Sequence, residues 1–340
     1  MVLRCFRAFP QHPAPAYKQM QFTTLGRTGL NVSVVGLGTG GPSRLGLAKG
    51  LSAESIVRLI QYGLDQGINL IDLGATYGTD RIVADAIRKR RHEVVLSAKT
   101  ILGPHIWMFE GTRTASRLSA RIGEETSFVM SGGVIEKRLN ASLRRLKTDH
   151  IDIFSLHSVT PGQCAPAVDR LLPALLRLKE KGKIRSVGIT ESFGRDPRHR
   201  VLAGAAASGS FDTIMLGLNL VNRTGSPIVA EARKNGTGVI AMYALRPFRS
   251  QASIDSLLQT SGASMAELAA LLKAYGVASL QEAAMRFCRH DSGADVVLTG
   301  TGDACHLEAN ISAATAGPLP APLAAELCKI FPGPELDPVK

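Results

Sequence analysis

Short runs rich in β-branched and aliphatic residues alternate along the chain with longer stretches whose apolar positions recur every three or four residues. The short runs fall at 33–37, 68–72, 93–98, 151–156, 184–189, 212–216, 238–242 and 295–299. Each is followed by a helical pattern, which predicts βα units around a parallel sheet. Eight such units, with no internal linker between them, predict an α/β fold in which the sheet closes into a (β/α)8 TIM barrel, an architecture that takes roughly 250 residues. The stretch from Phe22 to Asn31, with Gly26 and Gly29, predicts an N-terminal β-hairpin that plugs the barrel floor.

The strands are evenly spaced except after the third and the seventh, where insertions at about 101–131 and 244–263 follow the strand. Loops that follow strands lie on the C-terminal face of a parallel barrel, where active sites assemble, so both insertions are expected to border a substrate. Trp107 lies in the first. Residues 1–19 hold Arg4, Arg7 and Lys18, three prolines and no acidic residue, without periodicity. They read as a disordered or mis-annotated extension with Met20 as the alternative start, or as a remnant of an organellar targeting peptide. Residues 20–340 then form the barrel domain.

One motif points elsewhere. Gly36-Leu37-Gly38-Thr39-Gly40-Gly41 follows a strand and satisfies GxGxxG, which formally proposes a dinucleotide-binding Rossmann unit with Glu54 as the ribose acid. That unit needs a helix at once, whereas 42–50 reads as a loop and the helix begins at Ser52. The glycines instead turn the chain over the top of strand one.

Composition narrows the class. The chain has 340 residues, 45% apolar and 20% charged, and a mean hydropathy of +0.08, which is that of an ordinary globular protein. No run approaches the ~18 apolar residues of a membrane span. Five cysteines are scattered without CxxC pairs, and no His cluster has metal-ligand spacing, so neither a disulfide framework nor a metal is expected and the compartment reads as cytoplasmic. The net charge of +12 is spread along a chain with 5% aromatics, which argues against nucleic acid. The dense Arg88-Lys89-Arg90-Arg91 run closes a helical pattern, where cations complement the helix dipole.

The candidate chemistry sits at strand ends. Asp72 and Tyr77 follow the second strand, Lys99 the third and His157 the fourth. Singly, each has an ordinary structural reading as a cap, a packed ring or a solvated cation. Together they make an acid site, because hydride reduction of a carbonyl needs a proton delivered to the oxygen, and a tyrosine with a pKa near ~10 needs tuning to donate it. A lysine beside the phenol is expected to lower that pKa, an aspartate to hold the lysine charged, and the histidine to orient the carbonyl.

These residues lie in segments that resemble the successive motifs of aldo/keto reductases: FTTLGRTGLNVSVVGLGT from Phe22 to Thr39, GINLIDLGATYG from Gly67 to Gly78, VVLSAKT from Val94 to Thr100, LRRLKTDHIDIFSLH from Leu143 to His157 and GKIRSVGIT from Gly182 to Thr190. The resemblance covers about 20–330, includes a bacterial-type aldose dehydrogenase-like branch, and places the family's catalytic Asp, Tyr, Lys and His on Asp72, Tyr77, Lys99 and His157. It implies a nicotinamide cofactor, NADP(H) or NAD(H), bound across the barrel mouth. Tyr77, Trp107 and His157 then face the substrate, a small carbonyl compound or sugar.

On the cofactor side the resemblance implies Gly38, Thr39, Asp72, Thr190, Glu191, Met215, Met242 and Tyr243, and after strand eight Gly300, Thr301, Gly302, His306 and Asn310, while Arg246, in the loop after strand seven, reads either as a pyrophosphate contact or as a solvated cation. The sequence departs from the family here. Thr190-Glu191 stands for Ser-Asn at the carboxamide, Met215 for Gln, and Met242 for the stacking tyrosine, with Tyr243 adjacent. An ionised Glu191 accepts but cannot donate a hydrogen bond. Residues 299–303 lead into a helix whose N-terminus suits a phosphate, while Asp303 reads equally well as its N-cap. No Lys or Arg marks a 2′-phosphate clamp there, so the choice of cofactor stays open. Three functions follow: a carbonyl reductase with Tyr77 as general acid, a dehydrogenase of aldoses or secondary alcohols on the same site, or a cofactor-sensing binding protein like the potassium-channel-associated relatives. Oligomeric state is not encoded in any readable pattern.

Overall fold

A computed structural model describes residues 19–103 and 129–333. Residues 1–18 of the extension expected at 1–19, and the part of the first insertion that holds Trp107, lie outside the described residues. The chain opens with an antiparallel pair, β1 (Phe22–Thr24) and β2 (Asn31–Ser33). The barrel strands are β3 (Val35–Gly38), β4 (Leu70–Asp72), β5 (Val95–Ile101), β6 (Ile151–Val159), β7 (Ile184–Glu191), β8 (Thr213–Gly217), β9 (Gly238–Met242) and β10 (Val296–Thr299). All pair in parallel with their sequence neighbours, and β10 pairs with β3 to close the ring. Every strand expected from the sequence is present, and closure excludes the open Rossmann sheet. Glu54 is exposed in the first turn of α1.

Helices α1 (Ala53–Asp65), α2 (Asp80–Ile87), α3 (Gly132–Leu146), α4 (Pro161–Glu180), α5 (Arg200–Ser208) and α6 (Ser226–Lys234) follow β3 to β8 in turn. After β9 come α7 (Gln251–Ser261), α8 (Met265–Ala274) and α9 (Leu280–Arg286), and after β10 come α10 (Ala304–Thr315) and α11 (Ala321–Ile330). Ser52 caps α1 by accepting from Ser55 N at 3.2 Å, which sets the helix start where the sequence put it. The second insertion is therefore largely helical. None of the described helices is long and apolar enough to cross a membrane.

Period-two alternation sorts each strand into an outer and an inner set. Leu96, Phe154, Leu156, Val187 and Ile189 face the helix layer in one large apolar cluster. A second cluster fills the barrel interior with Leu70, Val95, Ile153, Ile240 and Val296, and the hairpin's Leu25, Leu30 and Val32 join it. The hairpin thus closes the floor as expected. Gly26 makes this possible: its φ is +49°, and a Cβ there would lie 2.2 Å from Gly238 N. The Arg88–Arg91 run has a structural role, since Arg90 pairs with Asp65 and Glu93, and Arg91 with buried Asp152.

Candidate active site at the barrel mouth

The inner face changes character from floor to mouth. On β4 the inward residue above Leu70 is Asp72, on β5 those above Val95 are Ser97 and Lys99, and on β6 those above Ile153 are Ser155 and His157. Alternation alone therefore carries polar side chains up from an apolar plug. Lys99 Nζ donates to the two oxygens of Asp72 at 2.6 and 2.5 Å and to the Leu73 carbonyl at 3.0 Å. The Ser97 hydroxyl donates to the same carboxylate at 3.1 Å. Asp72 and Lys99 are 4% and 3% exposed, so this ion pair is removed from water.

Burial raises the pKa of Asp72, with Lys99 and Ser97 opposing it. For Lys99 burial works against the charge, but Asp72 and Tyr77 outweigh it and its pKa stands above the ordinary lysine value. The ammonium is therefore firmly charged.

Tyr77 follows a tight turn in which its N–H donates to the Gly74 carbonyl at 2.9 Å. Its half-buried ring lies in a slot that two glycines leave open: a Cβ at Gly40 would fall 2.5 Å from the ring, and one at Gly74 2.6 Å. Lys99 Nζ is 5.4 Å from the ring centroid, and the His157 ring meets Tyr77 edge-on at 6.0 Å. Asp72, Tyr77, Lys99 and His157 are thus brought together. The expected lowering of the phenol pKa needs correction. Burial raises it; Lys99 pulls the other way, but Asp72 and Tyr243 reinforce the rise. Burial of the phenol outweighs the pull of the Lys99 charge.

Burial and the Lys99 charge push His157 down to about 3, so its imidazole is neutral at physiological pH. Its Nδ1 is enclosed and has no hydrogen-bond partner among the described residues.

The cofactor-side residues divide. Thr39 is fully buried and its hydroxyl donates to the Asp72 carbonyl at 2.9 Å, next to Gly38 at the end of β3. Thr190 accepts from Ser158 N at 2.9 Å. Glu191 turns away into a buried network, pairing with His199 Nδ1 at 2.6 Å and accepting from Gly217 N at 2.8 Å, while His199 Nε2 meets the Thr224 hydroxyl at 2.9 Å. Both Glu191 oxygens are therefore committed to protein partners. Met215 belongs to the interior cluster and Met242 packs against it. Tyr243, with φ +70°, leaves that alternation: its ring lies 5.8 Å from Phe193 and carries the Arg246 guanidinium 4.6 Å from its centroid. The aromatic ring just beyond the end of β9 is that of Tyr243, next to Met242.

After β10, Asp303 caps α10 by accepting from His306 N at 3.0 Å. Gly300 and Gly302 let this loop lie on its neighbours, since Cβ atoms there would meet Gly38 O at 2.8 Å and Gly46 Cα at 2.7 Å. Thr301 accepts from Asp303 N at 3.1 Å, and Asn310 donates its amide to Thr299 at 2.7 Å. Four residues serve the site without having stood out as site residues in the sequence: Ser97, Gly40 (there only a turn glycine), Gly74 and His199. Ser97 was within reach, because alternation puts it on the Val95–Lys99 face; the other three act across contacts that the linear pattern does not encode.

Residues 34–330 match the model of the aldo/keto reductase family. Aldo-keto reductase YhdN of Bacillus subtilis is 33% identical over 180 residues, 50% of this chain and 47% of that protein. L-galactose dehydrogenase of Arabidopsis thaliana is 31% identical over 174 residues, 51% of this chain and 49% of that one. The chain thus aligns with about half the length of these curated relatives. An aldo/keto reductase from Klebsiella pneumoniae, solved in complex with NADP and acetate, superposes with a TM-score of 0.66 over 94% of this chain and 98% of its own, at 20% identity, which speaks to the fold alone. With the family match spanning almost the whole barrel, the chain belongs to the aldo/keto reductase family.

Proposed function

We propose that this protein is a nicotinamide-dependent carbonyl reductase, with NADH and NADPH both within the proposal, acting on small aldehydes, ketones or sugars. The observation that carries the reading is the buried Lys99–Asp72 pair beside Tyr77, facing a neutral His157 at the mouth of the barrel. A dinucleotide fits the residues present. Tyr243 offers an aromatic face steadied by Phe193, Arg246 brings a cation beside it, and the enclosed His157 Nδ1 calls for a polar partner. When bound, the nicotinamide supplies the hydride.

The chain's own residues do the rest. Tyr77, protonated throughout the neutral range because burial raises its pKa, donates its proton to the carbonyl oxygen as charge develops there. Lys99 faces the resulting phenolate with a positive charge that Asp72 keeps in place. The neutral imidazole of His157 orients the carbonyl by hydrogen bonding and adds no competing positive charge. The raised tyrosine pKa favours reduction near neutrality. The L-galactose dehydrogenase relative keeps a second reading in view, the same site run as an alcohol or aldose dehydrogenase, for which Tyr77 has to lose its proton first.

The test is Tyr77→Phe, assayed with a panel of aldehydes, ketones and aldoses and both cofactors. Loss of a general acid typically costs about 10²- to 10⁴-fold, and reduction should fall by that much. Quenching of protein fluorescence by the cofactor should stay intact, because the phenol holds no part of it. Full activity in Tyr77→Phe would sink the mechanism.

A further inference from the structure

The end of β6 contains an irregularity that the reaction scheme does not use. Pairing with β7 runs in register through Leu156 opposite Ile189, then resumes at Val159 opposite Glu191. Two residues of β6, His157 and Ser158, therefore face one residue of β7, Thr190. This is a β-bulge. Its extra residue, Ser158, has φ +54°, a left-handed conformation that serine adopts under constraint. On the other side His157 remains in register opposite Ile101 of β5.

The bulge changes which way β6 points. Without it, alternation would turn Val159 inward after Ile153, Ser155 and His157. With it, Val159 packs into the helix-layer cluster, and His157 becomes the last inward side chain of the strand. A bulge takes its extra N–H out of the ladder, and here Ser158 N is met by a side chain: it donates to Thr190 Oγ1 at 2.9 Å. Thr190 is 1% exposed, sits on the inner face of β7 and is itself in register with Met215 of β8. Its neighbour Glu191 is fixed by His199 and Gly217, so the frame that holds the threonine is rigid.

We infer that Thr190 is a positioning residue for His157, acting through the Ser158 bulge. Its hydroxyl oxygen holds the bulge amide, the held amide keeps Ser158 left-handed, and that conformation aims the imidazole at the mouth. The inference rests on the proposed role of His157 in orienting the carbonyl.

The experiment is a double-mutant cycle between Thr190→Val and His157→Gln in the full-length protein, with Thr190→Ser as the conservative control. Each variant is measured for carbonyl reduction (kcat and KM) and for nicotinamide cofactor Kd by fluorescence quenching. Thr190→Val keeps the shape and removes the acceptor; kcat should fall at least 10-fold with cofactor Kd within 2-fold of wild type, and Thr190→Ser should recover most of that loss. In the His157→Gln background Thr190→Val should change turnover less than 2-fold, since its effect runs through the histidine. Three results would overturn the inference: losses that multiply in the double variant, a cofactor Kd that weakens in step with kcat, or Thr190→Ser as impaired as Thr190→Val. Unchanged turnover in His157→Gln alone would reject the proposed reaction scheme and this inference with it. Losses that multiply while His157→Gln is impaired reject the inference and leave the scheme standing.

Discussion

Lys99 and Asp72 give the sharpest test of how this barrel spends stability on its mouth. Breaking a buried ion pair from one side leaves an uncompensated charge and costs about 3–5 kcal/mol, whereas removing both partners is far cheaper. The two sides are unequal here. After Asp72→Asn the Lys99 ammonium keeps the Leu73 carbonyl at 3.0 Å but no carboxylate, in a site 3% exposed, so the cost should lie near the top of the range, about 5 kcal/mol. After Lys99→Met the carboxylate has an escape: burial already raises its pKa, and without the lysine it can take up a proton and stay hydrogen-bonded to Ser97, for a cost of about 3 kcal/mol. The double variant Asp72→Asn/Lys99→Met removes both charges, and its cost should be about 1–2 kcal/mol, leaving a coupling energy well beyond the few tenths that independent sites show. Urea denaturation of the four proteins at pH 7, followed by far-UV circular dichroism, measures all of this. Turnover should remain lost in the double variant while stability returns, which separates the electrostatic demand of the site from its chemistry. Additive single costs, within ~0.5 kcal/mol, would refute the reasoning.

Three further predictions follow from the same geometry. His157 has a folded-state pKa of about 3 against an ordinary 6.5, so between those values the unfolded chain binds a proton that the native state refuses. Stability from this group is complete above 6.5 and is lost as pH falls towards 3; at pH 5 the loss is about 2 kcal/mol at most, at ~1.4 kcal/mol per pH unit, and denaturation midpoints of His157→Gln should fall less from pH 7 to 5 than those of wild type. Because Tyr77 is raised above 10, kcat/KM for reduction should show no inflection from it between pH 6 and 9, while oxidation of an alcohol should climb with pH over that interval; a reduction rate that halves near pH 8 through the phenol would contradict the assignment. Gly40→Ala puts a Cβ 2.5 Å from the Tyr77 ring and should cut turnover at least ~10-fold, with the melting temperature lowered by only a few degrees, a separation that a thermal melt and one rate assay can check.

Much of the fold was readable because each strand has one face on helices and one inside the barrel, and both faces are legible as runs. Val95-Leu96-Ser97-Ala98-Lys99 carries the register by itself: Leu96 and Ala98 face the helix layer, and Val95, Ser97 and Lys99 rise through the interior from plug to ion pair. The position of Asp72 above Leu70 follows from the same rule. Helix starts were readable where a serine caps locally, as Ser52 does. What escaped were features set by groups distant in sequence. Gly40 and Gly74 both serve the Tyr77 slot, although 34 residues of chain separate them and neither marks a positive φ.

The cofactor side shows the limit most clearly. Alignment offered Glu191 as a substitute for an amide-binding residue, and its carboxylate has the right kind of acceptor. The sequence held no sign that His199, eight residues on and itself left-handed at φ +54°, would take one oxygen while the backbone of Gly217 took the other. A buried carboxylate raised by desolvation must find such partners or give up its charge, so the network answers a need that Glu191 itself creates. The consequence reaches the mouth. With Glu191 drawn back against β8, Thr190 is left as the inward polar residue at the end of β7, and its hydroxyl oxygen is taken by Ser158. On the inference drawn above, a family position that reads as a pair of ligand-facing groups also serves, in this chain, as a brace for the strand that carries His157. Phe193 lies over Gly217 and packs on both His199 and Tyr243, so the ring of Tyr243 has a neighbour where it leaves the strand.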